Sequence, residues 1–141
     1  MARSKDSGKE GAATRMKKSL LLLARLTDWP ESWAIDDEDV PKGEELAAVL
    51  REFAQSLVED GLAPSTISRH LSNLWLLGGE IIAEINFDPP LRRKKAAALL
   101  ADAVDETGGP YSRHLDTEAE MRSFDATCKK LHKYLRARPD R

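Results

Sequence analysis

The stretch from Pro64 to Ile85, PSTISRHLSNLWLLGGEIIAEI, constrains the fold more than any other part of this 141-residue chain. At 100° per residue, Ile67, Leu71, Leu74, Gly78, Ile81 and Ile85 fall on one face of a helix. Leu76 points the opposite way, among Ser65, Arg69, Ser72 and Ala83, with Trp75 and Leu77 beside it. A helix that is apolar on its back as well as its front packs between neighbours. The second half is therefore expected to be the central post of a small bundle. The first half carries Ser65, Thr66, Ser68, Arg69 and Ser72 and has a different character. Pro64 suits a first helical turn, and Gly61 stops the helix before it.

The other elements follow from the same period. A first helix is expected over about Thr14 to Thr27, and a second over about Gly43 to Asp60 with Leu46, Val49, Leu50, Phe53 and Leu57 on its apolar face. Between them DWPESWAIDDEDVPKG reads as an irregular connection held on the core by Trp29 and Trp33. NFDPPL, from Asn86 to Leu91, breaks the chain; Asp88 as N-cap and Pro89 as first residue open a fourth helix to about Val104. ETGGPYSRH is a loop. Thr117 and Glu120 have the spacing of a capping box, starting a last helix to about Arg136 with Met121, Phe124, Cys128, Leu131 and Leu135 on one stripe. No window alternates with period two. The fold expected is all-α, a bundle of about five helices in one domain over residues 13–141, preceded by a disordered basic tail over 1–12.

Charge is distributed unevenly behind a net value of −2. Arg3, Lys5, Lys9, Arg15, Lys17, Lys18 and Arg25 make the start basic; Asp28 to Asp60 is acidic, with DDED at 36–39; from Lys129 the chain is basic again. Such a layout allows a local basic surface on a chain of pI about 5.9. The single cysteine, Cys128, excludes an internal disulfide and fits a reducing cytoplasm. SLLLLARL, broken by Arg25 and followed by Asp28 with no small-residue cleavage site, is not read as an export signal. A cytoplasmic location is expected.

The sequence offers no catalytic or metal constellation. His70, His114 and His132 have no carboxylate or cysteine partner at ligand spacing, so no metal and no cofactor are assigned. Cys128 lies on an apolar stripe and reads as core. Gly78 and Gly79 sit inside a helix, where their expected role is close helix-to-helix approach. A helix-turn-helix aligned on Gly61 would need apolar, small and apolar residues where Asp60, Leu57 and Ser56 stand, and fails at all three.

A second pattern fits better. EFAQSLVEDGLAPSTISRHLSNLWLL, Glu52 to Leu77, has a helix ending in Gly-Leu, then Pro-x-Thr-Ile, then leucines at helical spacing. With Phe53, Leu57, Gly61, Leu62, Pro64, Thr66, Ile67, Leu71 and Leu74 at the matching positions, it resembles the N-terminal SAM-like core-binding domain of phage-integrase-type tyrosine recombinases. The serine usual before the proline is replaced by Ala63. The likeness covers about residues 43–104 in outline.

The resemblance implies a helical module that clamps one side of a DNA duplex, in the setting of a mobile element. Recombinase chemistry does not come with it, since His132 is followed by Lys133, Tyr134 and Leu135 rather than a His-x-x-Arg element. The chain is read as non-enzymatic. Ser65, Thr66, Ser68, Arg69 and Ser72 would approach the double-stranded DNA, and Arg92, Arg93, Lys94 and Lys95 would contact phosphates. The other cationic run, Lys129, Lys130, Lys133, Arg136 and Arg138, sits at a helix C-terminus, where cations are favoured without any ligand. The competing class is a protein-interaction module holding a partner through Trp29, Trp33 and the acidic residues Asp36, Asp37, Glu38 and Asp39.

Overall fold

The computed structural model describes residues 2–138, and the side chains of 11–138 among them. Every long element is a helix: α1 (Ala2–Leu22), α3 (Asp39–Glu59), α4 (Pro64–Phe87), α5 (Ala96–Ala103) and α6 (Glu118–Ala137), with a five-residue α2 (Trp29–Trp33). Two 3₁₀ segments, Leu23–Asp28 and Pro89–Arg93, complete the order, and no strand occurs among the described residues. The all-α bundle expected from the 3.6-residue period is what the chain forms. The tail expected over 1–12 lies mostly outside the residues whose side chains are described; its backbone from Ala2 continues into α1.

The helix from Pro64 is the post of the bundle. Ile67, Leu71, Leu74, Leu77, Ile82 and Ile85 are fully buried, and α1, α3 and α6 all pack on α4. Its back is covered only in part. Leu76 is half-buried and Trp75 stays 40 % exposed, so the sandwich expected along this half is open on one side.

Trp29 and Trp33 are buried as expected of anchors, but the segment carrying them is helical rather than irregular. The Trp33 ring lies flat on the backbone of Gly78, where a β-carbon would collide with it, and its Nε1 donates to the Trp75 carbonyl at 2.8 Å. The close approach expected at this glycine is thus made by an indole, which reaches α4 where another helix backbone does not.

Three boundaries differ from expectation. The first helix, expected over Thr14 to Thr27, is α-helical over Ala2–Leu22 and 3₁₀ over Leu23–Asp28. α3 begins at Asp39, a turn before Gly43, because the Asp39 carboxylate accepts from the backbone N–H groups of Ile35 and Asp36 and folds the approach back on itself. The single helix expected from Pro89 to Val104 is two pieces. Pro89–Arg93 is 3₁₀, Lys94 and Lys95 are extended, and α5 starts only at Ala96. Asp88 makes no side-chain cap. The interruption has a tertiary cause: the Lys42 ammonium donates to the Lys94 carbonyl at 2.9 Å, occupying an oxygen that a continuous helix would use within itself. By contrast the capping box is complete, with Thr117 Oγ1 accepting from the Glu120 N–H and the Glu120 carboxylate from the Thr117 N–H.

Candidate nucleic-acid interface

The nine residues expected to meet DNA occupy opposite ends of α4. Ser65, Thr66, Ser68, Arg69 and Ser72 lie in its first turns, whereas Arg92 to Lys95 follow its last residue. From Arg69 to Phe87 alone the helix advances roughly 27 Å at 1.5 Å per residue. The two sets do not form one patch.

At the far end, two of the four cations are already engaged. Arg92 Nη2 donates to Asp39 Oδ1 at 2.7 Å and Nη1 to Glu38 Oε2 at 3.2 Å. Asn86 Nδ2 donates to both oxygens of the same Asp39 carboxylate, which has no exposure to solvent. Burial works to raise the Asp39 pKa, but the hydrogen bonds from Asn86, Ile35, Arg92 and Asp36 outweigh it and hold the carboxyl below its ordinary value. Arg92 therefore belongs to a structural pair that fastens the start of α3 to the end of α4. Lys94 contacts Asp102 at 2.6 Å, a partner that raises its pKa. Arg93 and Lys95 are exposed, and no ion pair joins either to another described residue.

The near end is assembled differently. Ser65, Arg69 and Ser72 are exposed, Thr66 and Ser68 half-buried, and Ser72 Oγ donates back to the Ser68 carbonyl. Directly inward of Arg69 is a buried polar junction between α4 and α6. His70 Nδ1 lies 2.7 Å from Thr127 Oγ1, and Asn73 Nδ2 donates to the same Thr127 oxygen at 2.8 Å. Thr127 passes its own proton to the Ser123 carbonyl, so His70 Nδ1 is the donor and Nε2 a bare acceptor. That Nε2 is buried and finds no partner among the described residues. Burial, with the positive charges of Arg69 and Lys130, lowers the His70 pKa to about 4.

His70 thus reports on its surroundings. Arg69 of α4 and Lys130 of α6 each act on this one imidazole, and both are exposed. Lys129 and Lys133 are exposed on the same helix as Lys130, and Arg15, Lys17 and Lys18 are exposed on α1. Sequence reasoning set the α6 cations aside because their place at a helix C-terminus explained them. The missing signal was the α4–α6 crossing, which the buried Asn73 and Thr127 now mark. Of that group, Arg138 is tied down, pairing with Glu52 at 3.1 Å.

Burial first, and then Asp125 and Asp105, push the Cys128 thiol up to about 12, far from a reactive thiolate. No cluster of three metal-ligating side chains occurs among the described residues, and no described helix is long and apolar enough to cross a membrane. Trp29, Trp33 and Asp39, expected to hold a protein partner, are core; Ile35, Asp36, Asp37 and Glu38 are what that segment shows to solvent or near it. Comparison with family models, with curated proteins and with solved structures found no match.

Proposed function

We propose that this chain is a non-enzymatic DNA-binding module, resembling a recombinase core-binding domain, that meets the duplex with the first turns of α4. The observation that supports it best is that two exposed cations from different helices, Arg69 and Lys130, both act on the buried His70 at the α4–α6 junction. Two exposed cations from different helices, beside the small hydroxyls of Ser65, Thr66 and Ser72, suit a backbone of phosphates. Lys133, one turn from Lys130 on α6 and exposed, widens the positive surface. Arg93 and Lys95 remain as a second, separate point of phosphate contact; Arg92 serves the fold.

A titration of binding to random-sequence duplex DNA against salt tests the reading. The expected result is micromolar or tighter affinity at low salt that falls as salt rises, with a slope of about 0.9 log unit per phosphate neutralised. Affinity no tighter than about 10⁻⁴ M, without salt dependence, contradicts it.

A second reading, a protein-interaction module, is favoured by a different observation. Trp75, Phe87 and Tyr111 stand 40 %, 92 % and 81 % exposed on and beside the open back of α4. Large aromatic groups left in water at one face are characteristic of contact surfaces.

A further inference from the structure

A hollow of about 510 Å³ opens between the second half of α4 and the loop 110–114. Its volume is in the range of a small-molecule site, and its lining is mixed as in such sites, aromatic surface with a few polar groups. Trp75 lines it from the helix and Tyr111 from the loop, both exposed. Three ionisable groups line the same hollow, Glu80 from α4 and Arg113 and His114 from the loop. No ion pair joins any of the three to another described residue. Opposite charges that share a hollow without neutralising each other are available to a ligand carrying a partner for each.

Both walls are fastened by the fold itself. Trp75 Nε1 donates to Ser32 Oγ at 2.9 Å, and the Trp75 carbonyl accepts from Trp33 Nε1. Ser32 Oγ in turn donates to the Trp29 carbonyl at 2.8 Å. On the loop, Ser112 is buried; its Oγ accepts from the His114 N–H at 3.3 Å and its carbonyl from the Leu115 N–H. The Gly109 N–H donates to the Asp125 carboxylate at 3.2 Å. Groups held in this way lose little freedom when a ligand arrives.

The chemistry of the lining selects the ligand. Indole and phenol faces suit a flat ring. Arg113 and His114, neighbours on one wall, offer a forked guanidinium and a further N–H donor, a set that suits a phosphate. The Glu80 carboxylate only accepts. Guanine is the base whose edge presents two N–H donors side by side, at N1 and N2, whereas adenine sets a lone pair beside its one amino group. We propose that the hollow binds a guanine mononucleotide, its base against Trp75 and Tyr111, its edge on Glu80 and its phosphate on Arg113 and His114. None of the residues read as DNA contacts lines the hollow, so the proposal does not rest on that reading.

Calorimetric titration of the full chain with guanosine 5′-monophosphate tests it, with helicity checked for every variant. A dissociation constant below about 300 µM is expected. Guanosine, which lacks the phosphate, and adenosine 5′-monophosphate are each expected to bind roughly ten-fold more weakly or worse. Tyr111→Ala should weaken binding of the guanine nucleotide by roughly five-fold or more through lost stacking, and Arg113→Gln by roughly ten-fold. Glu80→Gln is expected to turn the preference towards the adenine nucleotide, because an amide matches its paired donor and acceptor. A residue that merely supported the fold would not move that preference. Wild-type affinity weaker than about 300 µM overturns the proposal, as does equal affinity for the three ligands. A folded Glu80→Gln variant that keeps the wild-type preference overturns it too.

Discussion

Asp39 shows how one carboxylate can decide the shape of a loop fifty residues away. It accepts from Ile35 and Asp36 behind it and from Asn86 and Arg92 across the bundle, with no contact to water. Removing the Asp39 carboxylate leaves Arg92 with Glu38 alone and strips the Asn86 amide and the Ile35 and Asp36 N–H groups of their acceptor. Asp39→Ala is expected to cost about 3–5 kcal/mol in urea unfolding. A loss under about 1 kcal/mol would mean that the pair is a surface contact of ordinary weakness. His70 gives a pH-dependent counterpart. Its imidazole stays neutral in the fold down to about pH 4, whereas an unfolded chain protonates near 6.5. Between those values the unfolded state binds the extra proton and is favoured. The contribution is fully present above pH 6.5 and is lost as pH falls towards 4, at most about 3 kcal/mol in all. His70→Asn should remove that part of the slope; a variant with the same pH profile as wild type would refute the assignment.

Within α4, adjacent glycines have different duties. Alanine at Gly78 would drive its β-carbon into the Trp33 indole, while at Gly79 it would meet the same ring at 3.4 Å, an ordinary contact. Gly78→Ala is therefore expected to destabilise by about 1–3 kcal/mol through overpacking, less whatever the helix gains. Gly79→Ala should be neutral or stabilising by up to about 1 kcal/mol. Thermal melts that rank the two alike would contradict the ring placement. The glycines were legible in the sequence as a close-packing site; that the neighbour is Trp33 was not, because 45 residues of chain separate them. The same distinction runs through the other elements. Helix periods and the Thr117–Glu120 box are local, and the sequence displays them directly. The break at Lys94 and Lys95 depends on Lys42, and the early start of α3 on a carboxylate with partners on two sides. Neither is written in the segment it reshapes. The common effect of Arg69 and Lys130 on His70 was hidden for the same reason, since the α4–α6 junction joins residues more than fifty positions apart.

Across the whole molecule, charge and exposure divide the surface into faces with separate uses. The end of α4 near Phe87 is held by the Asp39 network, its back is partly open around Trp75 and Leu76, and its first turns carry the exposed Arg69 at the junction with α6. That division explains how one helix can be both post and contact surface: the inward stripe runs its full length, while only the outward turns near Pro64 are left polar and positively flanked. It also separates two sets of cations that the linear sequence would combine. The most direct test compares Arg69→Ala with Lys130→Ala against Arg93→Ala with Lys95→Ala in duplex binding at two salt concentrations. Each double variant is confirmed to be folded, and Arg92 is left intact. The first pair is expected to weaken binding by roughly ten-fold or more at low salt and to reduce the salt slope by up to about 1.8 log units, two phosphate contacts' worth. The second pair should have a smaller effect. Unchanged affinity in the Arg69 and Lys130 variant, with the loss falling on Arg93 and Lys95 or on neither, would contradict DNA binding by the first turns of α4.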